Sequence, residues 1–241
     1  MKVSIVIPAF NEEKLIARSL QAVREASDAF VARGWEWEVV VCDNNSTDRT
    51  REIAAGACAR VVFEPINQIS RSRNKGGFAA TGDWLVFIDA DSFPSRRLFE
   101  RTAEEISKPD CAGGGCLVRL DEARALANMF VGLWSTLSRM MRWAAGSYIF
   151  CQAEIFRELG GFSEKLFVSE EIEFSQRLKK AAREKRRRVV IITDERLVTS
   201  ARKMHLYKPR EHARFMLKAF LFPRRVLVDR TECAPWYDGR R

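Results

Sequence analysis

Residues 71–92 read RSRNKGGFAATGDWLVFIDADS, and this stretch decides the fold class of the chain. Residues 84–88 are all apolar, which is typical of a parallel strand buried on both faces of a sheet. The preceding residues, 70–81, have the pattern of a helix, and Asp89 and Asp91 follow the strand directly. A helix, an apolar strand and a polar turn in this order indicate one unit of a parallel α/β sheet.

The same alternation of helix and strand continues on both sides of this unit. Further strands are predicted at 3–7, 38–42, 60–63, 112–118, 147–151, 189–193 and 197–199. Helices are predicted after a cap at Asn11, from about Thr47, and at 122–143, 155–159, 170–182 and 209–222. This order predicts a single Rossmann-like, mostly parallel twisted sheet flanked by helices. Ligands of such sheets bind beyond the carboxyl ends of the strands, where the polar clusters of this chain lie.

Composition and charge exclude several classes of protein. Of the 241 residues, 46% are hydrophobic, so the chain can form a core and is not intrinsically disordered. The formal net charge of +9 favours an anionic partner, but no nucleic-acid-binding motif is present and no nucleic-acid partner is expected. The longest uncharged apolar stretch, 125–138, falls short of the ~20 residues that span a bilayer. Six scattered cysteines without a C-x-x-C pair favour a reduced, cytoplasmic protein without structural zinc.

The pair Asp89 and Asp91 suggests a metal site. Two carboxylates so close together repel each other unless a cation lies between one of them and a phosphate. Such hard oxygen ligands suit Mg²⁺ or Mn²⁺. The alternative is a solvated turn in which Asp91 or Ser92 caps the next helix, and the D-x-D tripeptide alone does not separate the two.

Four blocks of sequence together resemble the family 2 glycosyltransferases, which have the GT-A fold and use nucleotide-activated sugars. The blocks are SIVIPAFNEE (4–13), EVVVCDNNSTD (38–48), the stretch 71–92 and GGFSEKLFVSEEIEFSQRL (160–178). They occur in the order and with the spacing of that family. The resemblance implies a GT-A fold with a helical acceptor-side and C-terminal extension.

The resemblance also implies a donor site at the ends of the first, second and fourth predicted strands. The residues that would contact the nucleotide-sugar there are Pro8, Ala9 and Glu12 at the base and ribose, Asp43 at the base, Arg73 near the base or diphosphate, and Asp89 at the ribose. Asp91 would bind the Mn²⁺ or Mg²⁺ that bridges the diphosphate. A carboxylate can accept the imide N–H of uracil and an arginine suits phosphate, which agrees with a UDP-sugar.

Glu170 and Glu171 correspond to the acidic pair of the family, whose second member deprotonates the acceptor hydroxyl. Glu171 would therefore be the general base, and Glu170 is the alternative because the family more often has Asp at the second position. Direct displacement at the anomeric carbon of the sugar needs one general base and a leaving diphosphate held by a metal. Inversion of the anomeric configuration is therefore expected. The alternative is structural: acidic residues in the first turn of a helix stabilise it through the helix dipole, and this would also explain Glu170 and Glu171.

Three later residues are further candidates by the same resemblance. Arg202 would neutralise the leaving diphosphate, and His205 would be a metal ligand, with a surface basic loop as the alternative. Gln152 would lie near the donor sugar or the acceptor. The turn at Gly160 and Gly161 would place an acceptor-facing loop over the sugar or simply end the preceding helix.

The acceptor side carries much of the positive charge. Arg210, Arg214 and Lys218 form a basic stripe beside apolar residues, a pattern that suits an anionic membrane surface as well as ordinary packing with solvated charges. The basic run 179–188 is typical of a solvated helix end. The expected acceptor is a saccharide, lipid-linked or other hydroxyl, and the protein is expected to be cytoplasmic, with peripheral attachment to the inner face of the membrane.

The predicted organisation is a single GT-A domain at 1–207, with a nucleotide-sugar-binding half (1–92) and an acceptor half (93–207), followed by an amphipathic helix and tail at 208–241. Two other functions fit parts of the sequence. A sugar-phosphate nucleotidyltransferase would need a glycine-rich loop after the first strand, where this chain has PAFNEE. A non-catalytic nucleotide-sugar-binding or membrane-surface adaptor domain would not need the acidic pair.

Overall fold

The computed structural model describes residues 1–122, 146–202 and 227–233 of the chain. Eight strands lie within these residues, in the order β1 (Lys2–Ala9), β2 (Glu36–Asp43), β3 (Arg60–Phe63), β4 (Trp84–Ile88), β5 (Ser92–Phe93), β6 (Cys111–Leu120), β7 (Tyr148–Gln152) and β8 (Arg188–Thr199). The described helices are α1 (Ile16–Val31), α2 (Thr50–Gly56), α3 (Ile69–Ala79), α4 (Arg96–Ile106), α5 (Ala153–Glu158) and α6 (Glu170–Glu184). None of the helices in these ranges is long and apolar enough to cross a membrane.

All eight strands form one sheet in the order β3-β2-β1-β4-β7-β6-β8-β5. The strands β3, β2, β1 and β4 are parallel to one another, as expected for alternating helices and strands. Strand β7 runs antiparallel to both of its neighbours, and β6 and β8 are again parallel to each other. The α/β fold class is therefore confirmed, with a reversal at β7 that makes the sheet mixed.

The reversal at β7 puts its two ends on the opposite edges from those of β4. Tyr148 pairs with Ile88 at the carboxyl end of β4, whereas Gln152 pairs with Trp84 at its amino end. The predicted position of Gln152 near the sugar or acceptor is therefore wrong. Its side chain instead donates to the carbonyl of Cys111, the first residue of β6, at 3.1 Å and accepts a hydrogen bond from Arg187.

The central strands are mostly apolar because successive residues face two different hydrophobic cores. Ile5 and Ile7 of β1 belong to one core, which helices α1 and α4 cover, and Val6 between them belongs to the other. This second core contains the aromatic side chains Phe156 of α5 and Phe174 of α6. Helices on both faces thus hold the sheet and leave its edges at the strand ends open for a site.

The predicted elements agree with the structure closely in the first half of the chain. The strands at 60–63 and 84–88 have the predicted bounds. In the second half, the two strands predicted at 189–193 and 197–199 are parts of the single strand β8, whose pairing with β6 has a register irregularity. The cap at Asn11 is wrong, because α1 begins at Ile16, where the carbonyl of Glu12 accepts the first amide. The helices predicted at 122–143 and 209–222 fall mostly or wholly outside the described residues.

Helix α4 was not predicted, although the sequence contains its signals. Most of its residues are charged, but the apolar ones recur at helical spacing and are buried, at Leu98, Phe99, Thr102, Ala103 and Ile106. The side chain of Ser95 accepts the amide of Leu98 at 3.1 Å and caps the helix. The alternative in which Asp91 or Ser92 serves as this cap is therefore wrong.

Candidate functional site

The carboxyl ends of β1, β2 and β4 meet at one edge of the sheet. Pro8 and Ala9 at the end of β1 pair with Cys42 and Asp43 at the end of β2. The amide of Asn44, the next residue, donates to the carbonyl of Ala9 at 2.8 Å. The sheet itself therefore brings together the predicted donor-binding residues of the first two blocks.

The chain after β8 lies at the same edge, beside the D-x-D turn. The amide of Ser200 donates to the backbone carbonyl of Asp91 at 2.9 Å, and Thr199 pairs with Ser92. Asp91 is buried, and its carboxylate lies 3.5 Å from the hydroxyl of Thr199. The turn that follows β4 is thus held by a segment more than a hundred residues away in the sequence.

Asp43 is buried at the end of β2, and the turn after it fixes its carboxylate. The amide of Ser46 donates to Asp43 Oδ1 at 3.1 Å. Asn44 ties the same turn to the loop after β3, because its side-chain amide donates to the carbonyls of Glu64 and Ile66. A buried carboxylate held by a backbone amide is preorganised to accept a hydrogen bond from a ligand.

Glu12 and Arg202 form an ion pair that local sequence patterns do not predict. Arg202 Nη2 donates to Glu12 Oε2 at 2.5 Å, and Glu12 is buried in the loop after β1. The Nε and Nη1 atoms of Arg202 are buried and have no hydrogen-bond partner among the described residues. The segment after β8 therefore brings a guanidinium with spare donors to the edge where Asp43 and Asp91 lie.

Arg73 joins the D-x-D turn to the acidic pair. From helix α3 it donates through Nη2 to Asp89 Oδ1 at 2.9 Å and through Nη1 to Glu170 Oε1 at 2.5 Å. Burial disfavours the charged guanidinium, but the carboxylates of Asp89 and Glu170 outweigh it and raise the pKa of Arg73, so the side chain stays charged. The structure thus brings Asp89, Arg73 and Glu170 together in one buried chain of charges.

The two glutamates of the acidic pair have different surroundings. Glu170 is only 2% exposed, whereas Glu171 is half-buried in the first turn of α6. Burial, and after it the charge of Glu171, raises the pKa of Glu170 well above its ordinary value, although Arg73 acts in the opposite direction. Glu171 is therefore the member of the pair that an acceptor can reach from solvent.

Helix α3 also fixes the loop that leads to the acidic pair. The side chain of Asn74 accepts the amide of Phe162 at 2.7 Å and donates to its carbonyl at 2.9 Å. Gln68 donates to the carbonyls of Glu164 and Leu166 in the same way. The side-chain amides of Gln68 and Asn74 thus hold the loop 160–168 against α3 by hydrogen bonds to its backbone.

Gly160 and Gly161 end α5 with positive φ angles of 70° and 74°, and only the second has a crowded Cα. A Cβ on Gly161 would collide with the side-chain carbonyl of Asn74, whereas a Cβ on Gly160 would meet no atom within 4 Å. The pair therefore ends the helix, as one of the two readings predicted, and lets the loop approach α3 closely. The placement of an acceptor-facing loop over the sugar stays a prediction.

This difference predicts unequal effects of two alanine substitutions. Gly160→Ala is expected to lower the free energy of unfolding by about 1–2 kcal/mol, because only the positive φ is strained. Gly161→Ala is expected to lower it by about 2–4 kcal/mol, because the new methyl group also displaces Asn74. Urea unfolding of both variants measures the difference. Equal losses would contradict the close contact between Gly161 and Asn74.

Two features of this edge escaped the sequence analysis. Asp121, directly after β6, accepts the amide of Ala201 through Oδ1 at 2.9 Å and holds the segment that carries Arg202. The amide of Asp89 donates to the carbonyl of Ser147 at 3.3 Å, so residues just before β7 also lie here. Asp121 stands at the carboxyl end of a strand, as Asp43 does. This position at a strand end is the sequence signal from which its place in the site could have been predicted.

Other predicted positions lie elsewhere or are not described. His205 and the basic stripe at 210–218 fall outside the described residues. The run 179–188 extends from α6 to the amino end of β8, and Arg188 there forms ion pairs with Glu105 and Asp110. This run is therefore at the edge of the sheet away from Asp89 and Asp91, in agreement with its interpretation as a solvated helix end.

Comparison with known proteins identifies relatives along most of the chain. The sequence model described as "Glycosyl transferase family 2" matches residues 4–159. The uncharacterized glycosyltransferase EpsJ of Bacillus subtilis (strain 168) is 28% identical over 119 residues, which cover 47% of this chain and 33% of EpsJ. The matched regions span about a third of the length of the first curated relatives.

Two solved structures have the same fold as this chain. The structure of S. aureus TarS 1-349 in complex with UDP-GlcNAc has a TM-score of 0.66 at 18% identity and covers 98% of this chain and 69% of its own. The mannosyltransferase PcManGT from Pyrobaculum calidifontis, in complex with GDP-Man and Mn2+, has a TM-score of 0.65 at 21% identity and covers 90% and 60%. Both are GT-A glycosyltransferases, and the predicted GT-A fold is therefore confirmed.

Proposed function

This chain belongs to glycosyl transferase family 2, and from that premise we propose that it is a metal-dependent, inverting enzyme. It transfers a sugar from a nucleotide diphosphate-sugar, a UDP-sugar in our proposal, to the hydroxyl of an acceptor. The observation that carries the proposal is the meeting of buried carboxylates from four separate segments at one edge of the sheet. These carboxylates are Glu12, Asp43, Asp91 and Glu170.

The donor binds along the ends of β1, β2 and β4 in this proposal. Pro8 and Ala9 line the base and ribose, and Asp43 accepts the imide N–H of uracil. Asp89 contacts the ribose, and Glu12 keeps Arg202 close to the diphosphate. The buried Nε and Nη1 atoms of Arg202, which lack partners among the described residues, support its role as a donor to phosphate oxygens.

Asp91 is the proposed ligand of a divalent cation, Mn²⁺ or Mg²⁺. No group of three metal-ligating side chains exists in the described ranges, so the protein alone does not enclose an ion there. A buried aspartate with Asp89 close by fits a cation that takes its other ligands from the diphosphate and water, as Mg²⁺ commonly does. When bound, such a cation offsets the negative charge that develops on the leaving diphosphate. His205 stays a prediction as a further ligand.

Glu171 is the proposed general base. It accepts the proton of the acceptor hydroxyl while Arg202 offsets charge on the leaving group. Because no second carboxylate is required as a nucleophile, the acceptor attacks the anomeric carbon directly and the configuration inverts. The half-buried position of Glu171 beside the buried Glu170 supports this choice between the two.

A thermal-shift panel tests the donor class. UDP-, GDP- and dTDP-sugars are compared with and without Mn²⁺, since a donor that binds only the folded state raises the melting temperature. UDP-sugars with Mn²⁺ are expected to give the largest shift and slow Mn²⁺-dependent hydrolysis. A shift without any turnover would favour a non-catalytic nucleotide-sugar-binding domain, and the absence of any shift would contradict the proposal.

The acceptor is proposed to be a saccharide, lipid-linked or other hydroxyl compound. Peripheral attachment to the anionic inner face of a membrane stays a prediction, because the basic stripe at 210–218 lies outside the described residues. The described part of the chain adds one constraint. The basic run 179–188 lies at the far edge of the sheet, so it is not part of the acceptor site in this proposal.

A further inference from the structure

The guanidinium of Arg73 is the buried positive charge that joins the two acidic segments of the site. Its side chain is 4% exposed, and both Nη atoms donate to carboxylates, those of Asp89 and Glu170. The guanidinium carbon lies 5.4 Å from the centre of the Phe162 ring, so one face of the group rests on an aromatic side chain. The Nε atom is buried and has no hydrogen-bond partner among the described residues, so the two Nη atoms alone make the contacts with the carboxylates.

A buried arginine is costly unless its partners are fixed in place. Here the two partners come from different parts of the fold, the turn after β4 and the first residue of α6. The fork of the guanidinium has a rigid geometry, so it fixes the separation and the orientation of both carboxylates at once. A lysine at this position is a single point charge and would not bridge them in the same way.

Like most of the described helices, α6 begins without a side-chain cap, so its first turn has no capping hydrogen bond of its own. Ser169, at the cap position, has a left-handed φ of 67°, and its side chain makes no capping hydrogen bond. Glu170, which follows it, is instead held by Arg73. Glu171 is the next residue along the same turn, so its position depends on the same anchor.

We propose that Arg73 is a positioning residue for the acceptor base: through Glu170 it fixes the first turn of α6 and thereby Glu171, and through Asp89 it ties that turn to the D-x-D segment. This inference rests on the proposed role of Glu171. It replaces the direct contact with the base or diphosphate that the family resemblance implies for Arg73.

Arg73→Met tests the proposal, with Arg73→Lys as the conservative variant and Arg71→Met as the matched control. Arg71 lies on the same helix and pairs with Glu164 at 3.0 Å, but both side chains are more than one third exposed. The first readout is hydrogen exchange in residues 169–178, which reports local opening of the helix without any turnover. The other readouts are the affinities for UDP and GDP with Mn²⁺, by calorimetry, and nucleotide release from UDP-GlcNAc and GDP-mannose.

Arg73→Met is expected to speed exchange in 169–178 and to lower nucleotide release about a hundredfold, the scale of a misplaced catalytic group. The affinities for UDP and GDP are expected to stay within about threefold, because Arg73 makes no contact with the nucleotide in this proposal and the amide of Ser200 still holds the backbone of Asp91. Arg73→Lys should give intermediate exchange, and Arg71→Met should match the wild type. If Arg73→Met does not fold, Glu170→Gln replaces it and is expected to show faster exchange with unchanged nucleotide affinity.

Two results would overturn the proposal. One is weaker binding of UDP or GDP with normal exchange in 169–178, which would make Arg73 a donor ligand. The other is the same exchange in Arg71→Met as in Arg73→Met, which would make the effect a general loss of α3. A wild-type protein that releases no nucleotide from either sugar would count against the proposed function alone, because exchange and nucleotide affinity still decide the role of Arg73.

Discussion

Glu171→Gln is expected to lower kcat for sugar transfer about a thousandfold, within the range that a general base contributes. Glutamine has the same shape but does not accept the proton of the acceptor hydroxyl at neutral pH. The half-buried position of Glu171 in the first turn of α6 lets the amide fit without disturbing the core. Steady-state kinetics with the donor found in the thermal-shift panel measures kcat, and the panel itself measures donor binding, which is expected to be unchanged.

The control for this substitution is Glu173→Gln. Glu173 lies in the same turn and pairs with Arg177 at 2.5 Å. Its loss is expected to change kcat by less than threefold, since partly exposed ion pairs of this kind contribute about 0.3–0.5 kcal/mol. Full activity of Glu171→Gln together with complete loss in Glu170→Gln would assign the base to Glu170 instead.

Asp91→Asn is expected to lower turnover by a similar factor and to remove its dependence on Mn²⁺. A neutral amide is a poor ligand for a hard divalent cation, so the leaving diphosphate would lose its main counter-charge. The fold should persist because Ser200 bonds to the backbone carbonyl of Asp91, which asparagine keeps. Turnover is measured during a titration with MnCl₂ and after treatment with EDTA.

Asp83→Asn serves as the control for the metal site. Asp83 precedes the same strand, β4, at its opposite end and accepts the amide of Lys2 at 2.8 Å. Asparagine retains an acceptor oxygen, so turnover and its metal dependence should equal those of the wild type. The assignment of Asp91 would be wrong if Asp91→Asn kept normal activity in EDTA.

The strand at 84–88 and the helix before it show what local sequence determines well. Five consecutive apolar residues fit only a strand with a core on each face, and the structure provides both cores. The edge that bears the site follows from the same pattern, because parallel strands end at a common edge. Asp43, Asp89 and Asp91 could therefore be grouped before any contact was known.

Arg73 and the acidic pair show what local sequence leaves undecided. Consecutive residues of a helix point about 100° apart, so Glu170 and Glu171 face different surroundings although they are adjacent. Glu170 is the one that is buried, and it pairs with Arg73, 97 residues earlier in the chain. The position of Gln152 depends in the same way on the direction of β7, which no periodicity within its five residues encodes.

The sequence by itself determined the α/β class, most strand positions and the edge where the proposed donor-binding carboxylates gather, because burial on two faces and turn chemistry act over a few residues. Only the tertiary structure decided the reversal at β7, the pairing of Glu12 with Arg202 and the burial of Arg73 between Asp89 and Glu170. The physical reason is the same for all three. Each depends on which distant segments the folded chain brings into contact. A charge that is buried at such a contact is unfavourable unless it is paired with an opposite charge or a hydrogen-bond partner.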